Sequence, residues 1–236
     1  MNALLLKRVF TGLTLALTIS STQAAEVSGT IGFTNDYRFR GISQTTGDAA
    51  VQGSLDVAFD NGVYAGVWGS NVDWGDDANI EIDYYLGFGN DINDNLSYDL
   101  SLAYYTYPGY KAADGDYAEL SLALNYSGLN MGGSDLGDIG VTFAYSNDYF
   151  NSGDDSKYIA LDYSYGVTEN ISLDLHAGHS FGDAWDGYGY EDYSIGLSGS
   201  LAGVDLAVNY LTNTLDIAKT NDYDDNAVVF SVSRSF

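Results

Sequence analysis

Cysteine is absent from the 236 residues, proline occurs once, and eight Lys and Arg stand against 33 Asp and Glu. The first absence removes disulfides, the usual reinforcement of a small exported domain. The second leaves little to interrupt extended strands, and the single Pro108 falls in a loop segment, where its missing donor breaks no ladder. A formal charge of -25 excludes nucleic acid as a partner, because binding a polyphosphate needs clustered Lys and Arg. Long apolar runs are missing too. Beyond the N-terminal segment no stretch approaches the roughly 20 residues of a membrane-spanning helix. If the chain enters a membrane, it must do so as a closed barrel, the other architecture that satisfies every backbone group internally.

What is present is aromatic and apolar: 21 Tyr, 28 Gly and 45% hydrophobic residues, far above the content of a disordered acidic chain. The N-terminus has the parts of a secretory signal. Lys7 and Arg8 form its basic region, Val9 to Ile19 its apolar region and Ser20 to Ala25 its small-residue cleavage zone. The apolar run is too short for a membrane anchor. The expected division is a signal peptide at 1–24 and one domain at 25–236.

From residue 26 onward, apolar and polar residues alternate in segments of roughly ten, the signature of strands that cross an outer membrane at a tilt. The first, Ile31 to Gly41, sets Ile31, Phe33, Tyr37 and Phe39 against Asp36, Arg38 and Arg40. Val51 to Phe59 follows, and Asp60-Asn61-Gly62 is a hairpin signal. With Asn61-Gly62 as a two-residue loop, Phe59 would pair with Tyr64 and Leu55 with Trp68, placing Tyr64 and Trp68 on the apolar face. The theme repeats through Ile80–Phe88, Leu96–Tyr104, Leu120–Tyr126, Ile139–Tyr145, Ile159–Tyr165, Ile171–Leu175, Tyr193–Leu197, Val204–Tyr210 and Val228–Phe236. About twelve strands result, an even number that brings both termini to the periplasmic side. Connections on that side are short apart from a Gly-rich link between Ser127 and Asp138, and those opposite are longer and polar.

Aromatic positions band at two heights. Tyr37, Phe39, Tyr104, Tyr149, Phe181, Tyr193 and Tyr210 fall on the apolar face at the long-loop end; Phe59, Tyr64, Phe88, Tyr98, Tyr126, Tyr165 and Phe236 fall on it at the short-turn end. A bilayer selects such girdles because amphipathic rings favour its headgroup zones. A β-sandwich would gather its aromatics into one core instead.

The motifs Asn35-Asp36-Tyr37-Arg38-Phe39-Arg40-Gly41-Ile42-Ser43-Gln44-Thr45, Val51-Gln52-Gly53, Tyr64-Ala65-Gly66-Val67-Trp68-Gly69-Ser70-Asn71-Val72, Ile80-Glu81-Ile82-Asp83-Tyr84-Tyr85, Tyr98-Asp99 and Tyr104-Tyr105-Thr106-Tyr107-Pro108-Gly109 resemble the TorF-type porin family of proteobacteria. The resemblance covers roughly residues 26 to 126, and the second half matches mainly in strand rhythm. That family often carries a Pro before the Val-Gln-Gly strand, where this chain has Ala49-Ala50. The resemblance implies a small outer-membrane β-barrel of the porin kind. It brings no substrate and no catalytic residues.

By parity, Asp36, Asp56, Glu81, Asp83, Asp99, Glu119, Asp148, Asp162, Asp174, Asp192 and Asp205 face inward, against Arg38, Arg40 and His176. A wet wall of this kind concentrates cations and excludes anions, whereas in a closed lumen some acids must take up protons or bind metal ions. Arg38 and Arg40 have two readings: a positive patch that sets a transverse field, or anchors paired with Glu81 or Asp83. Inner tyrosines Tyr85, Tyr105, Tyr107, Tyr117 and Tyr158 either stack on a sugar-like solute or fill a narrow barrel.

The acidic loop tips Asp73–Asp77, Gly153–Asp155 and Asp222–Asp225 lack the ordered spacing of a calcium loop and read as solvated. His179 and Ser180 stand near the outer rim, but adjacent strand residues point to opposite faces, and no esterase elbow or metal-binding His spacing occurs. The expectation is therefore no enzyme, no cofactor and no metal, but a cation-leaning outer-membrane porin for small hydrophilic solutes. The alternative is a non-conducting structural, adhesive or accessory barrel. Partners would be outer-membrane lipid, the barrel-assembly machinery during biogenesis, and the solutes or cations themselves.

Overall fold

The computed structural model describes residues 25–111, 115–185, 189–215 and 226–236; the signal read at 1–24 and the acidic tip at 222–225 lie outside them. In chain order the strands are β1 (Glu26–Thr34), β2 (Arg38–Phe39), β3 (Ile42–Ser43), β4 (Ala50–Ala58), β5 (Val63–Asn71), β6 (Ile80–Asp91) and β7 (Leu96–Thr106). They continue with β8 (Tyr117–Met131), β9 (Ser134–Ser146), β10 (Ser156–Gly166), β11 (Ile171–Phe181), β12 (Tyr190–Leu201), β13 (Val204–Asn213) and β14 (Ala227–Ser235). Strands β2 and β3 form a separate two-stranded ribbon, and the other twelve close into one antiparallel barrel. Closure pairs β1 with β14 on one side, Thr30 opposite Ser235, and with β4 on the other, Glu26 opposite Ala58. Among the described residues, the barrel wall itself has no unpaired strand edge.

The burial is inside out. Leu55 is 57% exposed while its neighbour Asp56 is 8% exposed. The same contrast runs round the wall: Ile31, Leu86, Leu122, Leu161, Ile195 and Phe230 face outward, while Glu81, Glu119, Asp174 and Asp192 are buried within. A sandwich of two sheets reverses this arrangement, so the structure excludes it.

Two connections depart from the sequence expectation. At the first hairpin, Ala58 pairs with Tyr64 and Ser54 with Trp68, one residue out of the expected register. The loop is Asp60-Asn61-Gly62, three residues rather than two, with Gly62 at φ 90° and its N–H donating to the Phe59 carbonyl at 3.0 Å. A one-residue slip moves every side chain to the other face. Tyr64 is therefore an inner residue, 6% exposed, not a member of the lower girdle, and Trp68 faces inward as well. The Gly-rich link after Ser127 is also a correction. Strands β8 and β9 run on to a tight turn at Gly132-Gly133, whose φ values of 60° and 87° suit a two-residue hairpin.

Candidate functional site: the barrel interior and its outer mouth

The wall strand β1 stops at Thr34 and does not continue to Gly41, and residues 35–49 turn into the barrel. Asp36 organises the turn, accepting from Arg38 Nε and from the Ser43 hydroxyl, each at 2.6 Å. The ribbon folds back at Arg40-Gly41, both with positive φ (49° and 79°), the geometry of a two-residue hairpin. Gly41 is needed twice over, for its φ and because a Cβ there would lie 2.9 Å from that of Asp192.

Arg40, at the ribbon tip, crosses the lumen. Its Nη2 donates to both oxygens of Glu119 on β8, at 2.7 and 2.8 Å, and β8 lies almost opposite β1 in the barrel order. The guanidinium carbon stands 4.2 Å from the Tyr158 ring centre and 4.7 Å from that of Phe39. Tyr190 donates to the Arg40 carbonyl at 3.1 Å, and Asn213 donates to the Gly41 carbonyl at 3.0 Å. The ribbon is thereby fixed to β8, β12 and β13 and packed against β10. Neither arginine pairs with Glu81 or Asp83, as the anchoring reading had it; Arg38 holds Asp36 and Arg40 holds Glu119.

Because this segment leaves the wall, two upper-girdle assignments are corrected. Tyr37 is buried edge-on against Trp68, with ring centres 5.5 Å apart, and Phe39 packs 6.0 Å from Tyr105 inside the barrel. Tyr149 is a third correction: it lies in a short 3-10 turn after β9 and contacts Tyr117 and Trp185. Tyr104, Tyr126, Tyr165, Tyr193, Tyr210, Phe59, Phe88 and Phe236 stand exposed on the outer surface; Phe181 stacks on outward His179, and Tyr98 lies against Phe88.

Over the ribbon sits an aromatic cap supplied by the long loops. Trp74, between β5 and β6, meets Tyr107 at 4.7 Å, Tyr110 at 5.3 Å and Phe150 at 5.7 Å. Tyr149 reaches Trp185, which reaches Tyr190 at 5.1 Å. The Trp74 indole N–H donates to the Gln44 side chain at 3.2 Å, joining cap to ribbon. Burial pushes the Tyr149 phenol up to about 12, so it stays neutral and packs as an apolar ring. The loop Asp155 is shifted the other way, held below the usual carboxylate range by a hydrogen bond from Lys157.

Deeper in, most acids have a donor. Asp56 accepts from Tyr85 and from Ser54, Asp99 accepts from Tyr64 at 2.8 Å, and Asp174 accepts from Ser164 at 2.7 Å. His176 faces Asp162 through Nδ1 at 2.6 Å and Asp192 through Nε2 at 2.9 Å, and the Tyr158 hydroxyl lies within reach of both His176 and Asp192. Carboxylates on both ring nitrogens suit an imidazole that donates from each. Gly178 makes room for this cluster, since a Cβ there would collide with the Tyr158 hydroxyl. Asp205 differs: it is exposed beside the Ala202-Gly203 turn, bonded to Ser200. Asp148, also expected on the inner face, lies before the 3-10 turn and accepts from the Gly153 N–H.

Sequence reasoning missed the ribbon and the cap. The signals were present in Gly41 following Arg40 and in three loop tips each carrying a Trp or Phe: Trp74, Phe150 and Trp185. His179 and Ser180 do point to opposite faces; His179 Nδ1 is 3.4 Å from Glu191, while Ser180 is fully buried inside.

A closed twelve-stranded barrel with a charged interior and an apolar exterior is the fold of outer-membrane porins. Solved structures that share it include the NanC porin, at TM-score 0.53 and 11% identity over 89% of this chain and 98% of that one, and the KdgM porin in complex with disordered oligogalacturonate, at TM-score 0.57 and 9% identity over 90% and 99%. The chain belongs to the bacterial protein family of unknown function Gcw_chp, whose profile matches residues 19–236. No curated protein matches it.

Proposed function

We propose that the protein is a porin of the Gram-negative outer membrane, passing small hydrophilic solutes with a preference for cations. One observation carries the reading: a row of buried carboxylates on the inner wall of a closed barrel whose outer surface is apolar. Such a wall stabilises cations and repels anions along the axis. The TorF-type motifs of the first half agree with this assignment, as does the porin fold. Residues 1–24 are assigned to export, with outer-membrane lipid and the barrel-assembly machinery as partners in biogenesis.

The ribbon and the aromatic cap favour a second reading, a barrel that does not conduct and serves as a structural, adhesive or accessory surface protein. Planar-bilayer recording of the refolded protein across a KCl gradient separates the two. Stepwise conductance with a cation-selective reversal potential is expected for the porin. Absence of conductance removes the pore, and a reversal potential favouring chloride removes the cation preference.

A further inference from the structure

Glu81 and Asp83 stand apart from the other inner acids. Both are buried, 3% and 5% exposed, and each has an oxygen with no hydrogen-bond partner: Glu81 Oε2 and Asp83 Oδ1. The remaining buried acids of the wall each hold a hydroxyl, guanidinium or imidazole donor, and none has an orphaned oxygen. Among the described residues, no Lys, Arg or His forms an ion pair with either one. Two uncompensated carboxylates in a desolvated position are expensive, and a positive partner is the direct remedy.

Position and chemistry define that partner. The two residues are alternate members of β6, on its inward face, about 6.6 Å apart along the strand and so able to close on one ion. Trp68 and Tyr105 are the cross-strand neighbours of Asp83, and Tyr107 donates to Glu81 Oε1 at 2.9 Å. This fixes one Glu81 oxygen; the Tyr37 phenol also faces the carboxylate, yet Oε2 itself has no hydrogen-bond partner. The orphaned donors are all oxygen, which selects a hard cation over a transition metal. Their joint charge matches a divalent ion. Burial favours Ca2+ over Mg2+, which gives up its water reluctantly.

We infer that Glu81 and Asp83 form a binding site for a divalent cation of the calcium class inside the outer half of the barrel. With two carboxylates as a sparse protein set, bidentate coordination and water complete the shell. The site does not depend on whether the barrel conducts.

The test uses the refolded full chain in detergent, stripped with EDTA, with folding checked by heat-modifiable migration. Calcium titration by calorimetry, and terbium luminescence sensitised by the nearby Trp68 and Tyr107, are compared across variants. Wild type is expected to bind one equivalent of Ca2+ that the double variant Glu81→Gln, Asp83→Asn lacks and the loop control Asp76→Asn, Asp77→Asn keeps. Calcium should also raise the melting temperature of wild type and not of the inner double variant. Should that variant fail to fold, Glu81→Asp supplies the reading: weakened Ca2+ binding supports the site, and unchanged affinity overturns it. Equal Ca2+ stoichiometry in wild type and a folded inner double variant overturns it too. So does an infrared carboxylic-acid band at neutral pH that only the inner variant loses and calcium leaves untouched, because a proton would then be the partner.

Discussion

Arg40 and Glu119 lie 79 residues apart in sequence and meet through two hydrogen bonds donated by one guanidinium nitrogen, across the interior of a barrel whose wall contains only one of them. This contact turns the ribbon from a surface loop into an internal strut.

Removing one side of the pair leaves the other charge buried without its partner, at a cost of about 3–5 kcal/mol. Arg40→Gln should lower the urea midpoint of refolded protein and, if the barrel conducts, enlarge and destabilise the single-channel current. Glu119→Gln should do the same by leaving the guanidinium unpaired. Identical unfolding curves and current records for both variants would show that the strut bears no load.

Trp74 links the cap to the ribbon through Gln44. Trp74→Ala removes a large, half-buried ring and its hydrogen bond, a loss smaller than the about 3–5 kcal/mol of a fully buried ring. The expected outcome is a more permeable mouth, read as faster liposome swelling in small sugars, with the barrel still resistant to SDS at room temperature. Unchanged swelling in folded liposome-inserted protein would place the barrier elsewhere.

Gly178 lies under the Tyr158 hydroxyl, so Gly178→Ala must displace that ring from His176 and Asp192. Overpacking of this kind costs about 1–3 kcal/mol. A lowered temperature of heat-modifiable migration is expected, with partial recovery in the double variant Gly178→Ala, Tyr158→Phe. No recovery would mean that the clash is carried by the Tyr158 ring and the Asp192 carboxylate, which the new methyl also meets.

Because the chain has no cysteine, a single introduced thiol reports its own surroundings. Val63→Cys, on the outer face, should react with a lipid-soluble maleimide and be shielded from a charged methanethiosulfonate. Tyr64→Cys, on the inner face, should escape the lipid-soluble reagent. The opposite pattern would restore the two-residue hairpin loop.

The alternation of the strands was legible because lipid and lumen impose opposite demands on successive residues, and Leu55 beside Asp56 states that rule in two letters. Register was not, since Asp60-Asn61-Gly62 suits a loop of either two or three residues and only Gly62 at φ 90° decides between them. The path of residues 35–41 was hidden for a related reason. A period of two fits a wall strand and an inward ribbon equally well, so Tyr37 and Phe39 read as lipid-facing when they pack inside. The acids read as inward did lie on the inner face in strands β4 to β12, but parity says nothing about partners. It could not tell Asp99, with its tyrosine, from Asp83, with an oxygen left bare.

The placement of the ribbon also orders assembly. Residues 35–49 emerge early in synthesis, yet Arg40 and Gly41 rest on Glu119, Tyr190 and Asn213, and the wall around them is sealed only when β14 reaches β1. A segment made near the beginning thus settles into its native contacts among the last. Long-range contacts of this kind are slow to form. An intermediate with a nearly complete wall and a disengaged ribbon would hold a lumen without its internal strut, filled by water until Arg40 reaches Glu119.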